Sequence, residues 1–142
     1  MPAVVSNTAT ENCLRALLER RGYRLNPKRA YGETGADIIA SNDKEYLHIE
    51  VIGYKSSGPA RAKDFYESFF RAVSRLKDGA SRCVIAIPIL AKQGLPARAR
   101  QHGEAWIRNG QAFPELEIWL VDTENQLYKW SLWNDWLTNK ST

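Results

Sequence analysis

Four short apolar runs limit what this chain can fold into. They are Ala36-Asp37-Ile38-Ile39-Ala40, Glu45 to Ile52, Arg82 to Pro88 and Glu117 to Asp122. Each has the length and the Ile, Val and Leu content of a strand rather than a helix. The third run is almost uninterrupted, the pattern of a strand buried on both faces. Between the runs the period lengthens. Leu14, Leu17 and Leu18 predict a helix opened by Thr8-Ala9-Thr10-Glu11, capped by Thr8 or Thr10 and closed at Gly22. Phe65, Phe69, Val73 and Leu76 predict a second helix over 61–77. A third is expected over 96–109, with Pro96 at its start and Gly110 past its end. Tyr23 to Leu25 reads as a short strand before the break at Asn26-Pro27, and Tyr31 to Gly35 as a loop. Ser41 to Lys44 reads as the turn of an antiparallel hairpin, and 53–60 as a flexible connection. Leu127 to Trp130 can return as a further strand, and 133–137 as a short helix. The predicted order is α-β-β-β-α-β-α-β, an α/β protein with helices packed on a central sheet.

With 142 residues, 44% hydrophobic, the chain suits one domain over 1–142 with a core of its own. The net charge of +4 and pI near 9.2 favour a polyanionic partner such as nucleic acid, though surplus surface lysine and arginine has the same effect. Cys13 and Cys83 lie in apolar patterns and make no disulfide framework. They are expected to fill core space in a reducing, cytoplasmic setting. The first residues lack the basic and apolar regions of a signal peptide, and no run nears the ~20 apolar residues of a membrane span. Walker spacing, paired Cys/His zinc spacing and a Gly-x-Ser-x-Gly elbow are all missing. Trp119 and Trp130 are expected in the core. Trp133 and Trp136 either staple the tail or stack on bases.

Two acidic residues stand inside apolar runs, Asp37 in the first and Glu50 in the second. A carboxylate among core residues is costly unless it is paired or binds a metal. On neighbouring hairpin strands the two can converge on one cation. Magnesium prefers oxygen ligands and keeps several waters, so such a pair suits it.

Gly35-Ala36-Asp37-Ile38, followed after a spacing of twelve residues between the acids by Ile49-Glu50-Val51, resembles the core motif of PD-(D/E)XK nucleases. That superfamily includes restriction endonucleases and archaeal Holliday-junction resolvases. The resemblance covers about residues 8–90 and implies a restriction-endonuclease-like α-β-β-β-α-β core. It also implies magnesium- or manganese-dependent hydrolysis of DNA. Asp37, Glu50 and the Val51 carbonyl would hold the metal, and Glu11 on the first helix would support it. The family's lysine two residues after the glutamate is Ile52 here. Lys55 is the nearest replacement and would orient the attacking water if a bend at Gly53 re-aims it. Lys63 is another. Arg71 and Arg75 stand where family members carry site-facing residues four apart, and guanidinium groups grip phosphate well. Surface solubility, or a salt bridge to Glu67, is the competing reading of the two arginines. Arg61 and Lys63 lie in a basic stretch that can follow a nucleic-acid backbone. His48 shares a strand face with Glu50 and can act as its neighbour in the site. Family analogy adds a possible homodimer. Ile52 motivates the alternative, an inactive nuclease fold that binds DNA or another protein.

Overall fold

The computed structural model describes residues 4–30 and 35–138. The loop expected at Tyr31 to Thr34 lies outside the described residues. Helix α1 (Asn7–Arg20) is capped by Ser6, not by Thr8 or Thr10: the Ser6 hydroxyl oxygen accepts from the Ala9 N–H at 3.0 Å. Thr10 is buried and donates its hydroxyl to the Ser6 carbonyl at 2.9 Å. Behind that cap Cys13, Leu14, Leu17 and Leu18 form one buried face. The helix ends at Gly22, whose φ of 90° suits a residue without Cβ.

The following elements are β1 (Arg24–Leu25), β2 (Ile38–Ser41), β3 (Tyr46–Val51), α2 (Gly58–Ser74) and β4 (Arg82–Pro88). A 3-10 turn, Arg75–Asp78, extends α2. Then come α3 (Leu95–His102), α4 (Glu104–Ala112), β5 (Leu116–Asp122), β6 (Leu127–Leu132) and α5 (Asp135–Thr138). The α-β-β-β-α-β order expected for the first two thirds is the order observed. All six strands form one mixed sheet in chain order, β1 to β6. The β3–β4 and β4–β5 pairs are parallel and the others antiparallel.

Parallel neighbours need long crossovers. Helix α2 supplies the first, and α3 with α4 supplies the second. Their apolar residues Phe65, Val73, Leu95, Ala99 and Trp106 pack with Cys83, Ile85, Ile87, Ile118 and Leu120 on one face of the sheet. On the other face α1 covers Ile38, Ala40, Leu47, Ile49, Val84 and Val121. β3 and β4 are therefore buried on both sides, which is why their sequences lack clean alternation.

Three expectations need correction. Helix α2 begins at Gly58, because the Ser57 hydroxyl oxygen accepts from Ala60 and Pro59 fits the first turn. Arg61 and Lys63 thus sit in its first two turns, not at its very start. The helix expected over 96–109 is two helices, broken at Gly103 with φ +50°. Gly110 lies inside α4, where an added Cβ would come within 2.4 Å of the Asn134 amide. Trp130 is not in the core: it stands 63% exposed on β6, at the edge of the sheet. The tail tryptophans are the staple. Trp106 and Trp133 stack at 3.9 Å, and each indole N–H donates to the other's backbone carbonyl. Both cysteines are buried and unpaired. No helix among the described residues is long and apolar enough to cross a membrane.

Candidate functional site

The β2–β3 register sets Ile38 opposite Ile49. One step beyond that last pair, where β2 has not yet begun, Asp37 lies near enough to Glu50 for its charge to act on it. Directly opposed residues project to the same face. Ile38 and Ile49 point into the α1 core. By alternation Glu50 and His48 point to the α2 side.

Asp37 is held tightly for a residue just outside a strand. Its Oδ2 accepts from the Val51 N–H at 2.8 Å, so the carboxylate closes the end of β3. Its backbone carbonyl accepts from Arg15 Nη2 at 3.0 Å. Arg15 also donates to the Asn26 carbonyl at 2.6 Å and pairs with Glu11 at 2.8 Å. The Asn26 side-chain oxygen accepts from the Ile39 N–H at 2.8 Å. Glu11, Arg15 and Asn26 thus form a frame around the start of β2. Of the three, Glu11 alone was expected near the site. The spacing of Arg15 four residues after Glu11 was a usable signal; Asn26 read only as a chain break.

Glu50 is the buried member of the pair, at 4% exposure. Burial and the neighbouring Asp37 push its carboxyl up to about 7 from an ordinary 4.5. The Arg75 guanidinium opposes this shift, with Arg71 adding to it. Arg75 Nε lies 3.4 Å from Glu50 Oε2, an ion pair without an aligned hydrogen bond, and neither atom has another partner among the described residues. Asp37 is also raised, first by burial and then by Glu11; the Val51 N–H, Arg71 and Arg29 act against the rise. Arg29 was not foreseen. Its Nε donates to the Ala36 carbonyl at 3.0 Å, and Gly35 leaves room for its head group: a Cβ there would stand 2.7 Å from Arg29 Nη2.

These residues fit a small divalent cation by the chemistry of the donors. The Asp37 carboxylate raises the proton affinity of Glu50, and Glu50 keeps a buried oxygen with no hydrogen bond. A cation relieves both penalties. Among the described residues no three His, Cys, Asp or Glu side chains form a ready-made cage. A metal here would rest on two carboxylates, backbone oxygen and water, the manner of magnesium.

No family model, curated protein or solved structure matches this chain.

The remaining expected residues divide into two groups. Arg71 and Arg75 act electrostatically on the carboxylates, although Arg71 is largely exposed and also pairs with Glu67 at 3.7 Å. Lys55 is turned elsewhere, in an ion pair with Asp64 at 3.0 Å. Ile52 packs into the α2-side core. Gly53 serves a different need from re-aiming Lys55. Its N–H donates to the Asn7 side chain at 2.7 Å, and an added Cβ would lie 2.4 Å from the Val5 carbonyl oxygen. The chain leading into α1 crosses there, with Val5 bridged to Tyr54. Arg61 donates to the Lys55 and Ser56 carbonyls, and Lys63 is exposed on α2. His48 is buried with neither ring nitrogen hydrogen-bonded, its ring edge-on to Tyr46 at 4.8 Å. Burial lowers its pKa, which favours the neutral imidazole.

Proposed function

We propose that this protein is a metal-dependent deoxyribonuclease, hydrolysing DNA phosphodiester bonds with magnesium or manganese. One observation carries the reading: Asp37, just before β2, lies beside Glu50 with its Oδ2 on the Val51 N–H, and burial with that neighbouring carboxylate drives Glu50 to about 7. Such an arrangement is costly for stability and useful for holding a cation. The resemblance of these two segments to the PD-(D/E)XK motif supports it, as does the basic charge of the chain.

In this reading Asp37, Glu50 and the Val51 carbonyl hold the metal. Glu11 acts through Arg15, which fixes the Asp37 backbone. When bound, the cation lowers the pKa of water and stabilises charge building on the phosphate. Arg75 and Arg71 add positive charge on the phosphate side. Lys55 can orient water only after leaving Asp64, whereas Arg75 already stands beside Glu50.

Cleavage of plasmid and branched DNA with magnesium or manganese tests the reading. Activity lost in Asp37→Ala supports it, and activity unchanged in that variant removes it. Ile52 in the core and Lys55 in its pair with Asp64 favour a second reading, a DNA-binding protein without turnover. It expects salt-sensitive DNA binding and no cleavage with either metal.

A further inference from the structure

Ile52 follows Glu50 by two residues, roughly 7 Å along the chain, and continues the same face. It opens into a cleft of about 140 Å³ at the carboxyl ends of the parallel strands β3 and β4. The floor is apolar: Ile52, Phe65, Ile87 and Leu95. Two arginines stand over it. Arg61 lies 4.6 Å above the Tyr54 ring and Arg98 lies 5.3 Å above the Phe65 ring. No carboxylate lines the cleft, and neither arginine has a salt bridge among the described residues. Arg61 spends one nitrogen on the Lys55 and Ser56 carbonyls, and Arg98 one on the Tyr66 hydroxyl. The other donors of each guanidinium are available to an anion.

An apolar floor under two uncompensated cations suits a ligand with a flat ring and an attached phosphate. The size narrows the choice. A dry cavity of about 150 Å³ takes one benzene ring. This cleft therefore has room for one six-membered ring, the size of a pyrimidine. We propose that it takes an unstacked pyrimidine of a single DNA strand, with the adjoining phosphate on Arg98 and Arg61. The proposal rests on the nuclease reading and deepens it: a strand entering the site must be unpaired beside the bond presented to Asp37 and Glu50. Helical pairing holds a base in its stack, so duplex DNA cannot fill the cleft without paying to flip one.

Binding is measured by fluorescence anisotropy without divalent metal, so that no cleavage intervenes, using labelled oligo-dT, oligo-dA and duplex of equal length. Oligo-dT is expected to bind tightest. Arg98→Ala should weaken it roughly tenfold and lower the slope of log affinity against log salt by about 0.7, the loss of one phosphate contact on a single strand. Arg98→Lys should restore the slope. Gly94 lines the cleft, and a Cβ there meets no atom within 4 Å. Gly94→Leu should therefore fold and reduce the oligo-dT preference. Equal binding of all three DNAs, with Arg98→Ala unchanged, overturns the pyrimidine cleft but leaves the nuclease reading standing. Competition by thymidine monophosphate as strong as by oligo-dT also overturns it, in favour of a free nucleotide. No binding to any DNA at low salt also overturns the pyrimidine cleft, and the metal-dependent cleavage assay then decides the nuclease reading separately.

Discussion

Arg75 Nε stands 3.4 Å from the buried Oε2 of Glu50. It is the one described cation in ion-pair contact with that carboxylate, and it comes from the turn after α2 rather than from β3. The position that would carry the motif lysine is filled by Ile52, which helps to build the core. Arg75→Ala is expected to raise Glu50 above about 7, because it removes a charge that favours the ionised form. Carboxyl-resolved NMR titration reads the shift; an unmoved or lowered midpoint contradicts it.

The same substitution separates two sources of positive charge in the proposed catalysis. Arg75→Ala is expected to reduce DNA cleavage by roughly a hundredfold or more, the scale of a lost charge-stabilising contact. Lys55→Ala is expected to cost less than about tenfold, since Lys55 is engaged with Asp64. Single-turnover cleavage rates of the two variants decide. The reverse ranking would assign the role to Lys55.

Glu50 also makes stability depend on pH. Its folded pKa of about 7 exceeds its ordinary 4.5, so between those values the folded state holds the extra proton. Stability therefore falls as pH rises through that window, by up to about 3 kcal/mol for this group alone. Asp37 adds in the same direction. Chemical denaturation at pH 5 and pH 8 should show the fall in the wild type and a much smaller one in Glu50→Gln. Equal dependence in both proteins contradicts the burial argument.

Gly53 is expected to tolerate no side chain. Gly53→Ala puts a Cβ against Val5 and Asn7, backbone included, and should cost on the order of 1–3 kcal/mol. Thermal denaturation measures it. A neutral substitution would mean that the lead into α1 moves freely.

Much of the sheet was legible because its strands announce themselves by apolar content. Asp37 and Glu50 stood out for the same reason, as acids where apolar residues belong. What was hidden depends on contacts distant in sequence. Arg15 and Asn26 reach Asp37 only when α1 packs beside β2, and Arg29 needs the space at Gly35. Trp130 is exposed because β6 is an edge strand, a placement that alternation alone does not reveal. Helix α2 starts three residues before Arg61 because Ser57 caps it and Pro59 fits its first turn, residue types that in sequence also mark a loop.

Asp37 and Glu50 are proposed to hold one divalent cation. Titration of Mn²⁺ with the loss of the free-ion paramagnetic resonance signal tests it without requiring catalysis. One site per chain is expected, tightening as pH rises toward and past about 7, where Glu50 loses its proton. Asp37→Asn and Glu50→Gln should each weaken it by tenfold or more, on the scale of one charged ligand. No binding by the wild type above pH 7, or binding indifferent to both substitutions, would contradict the account.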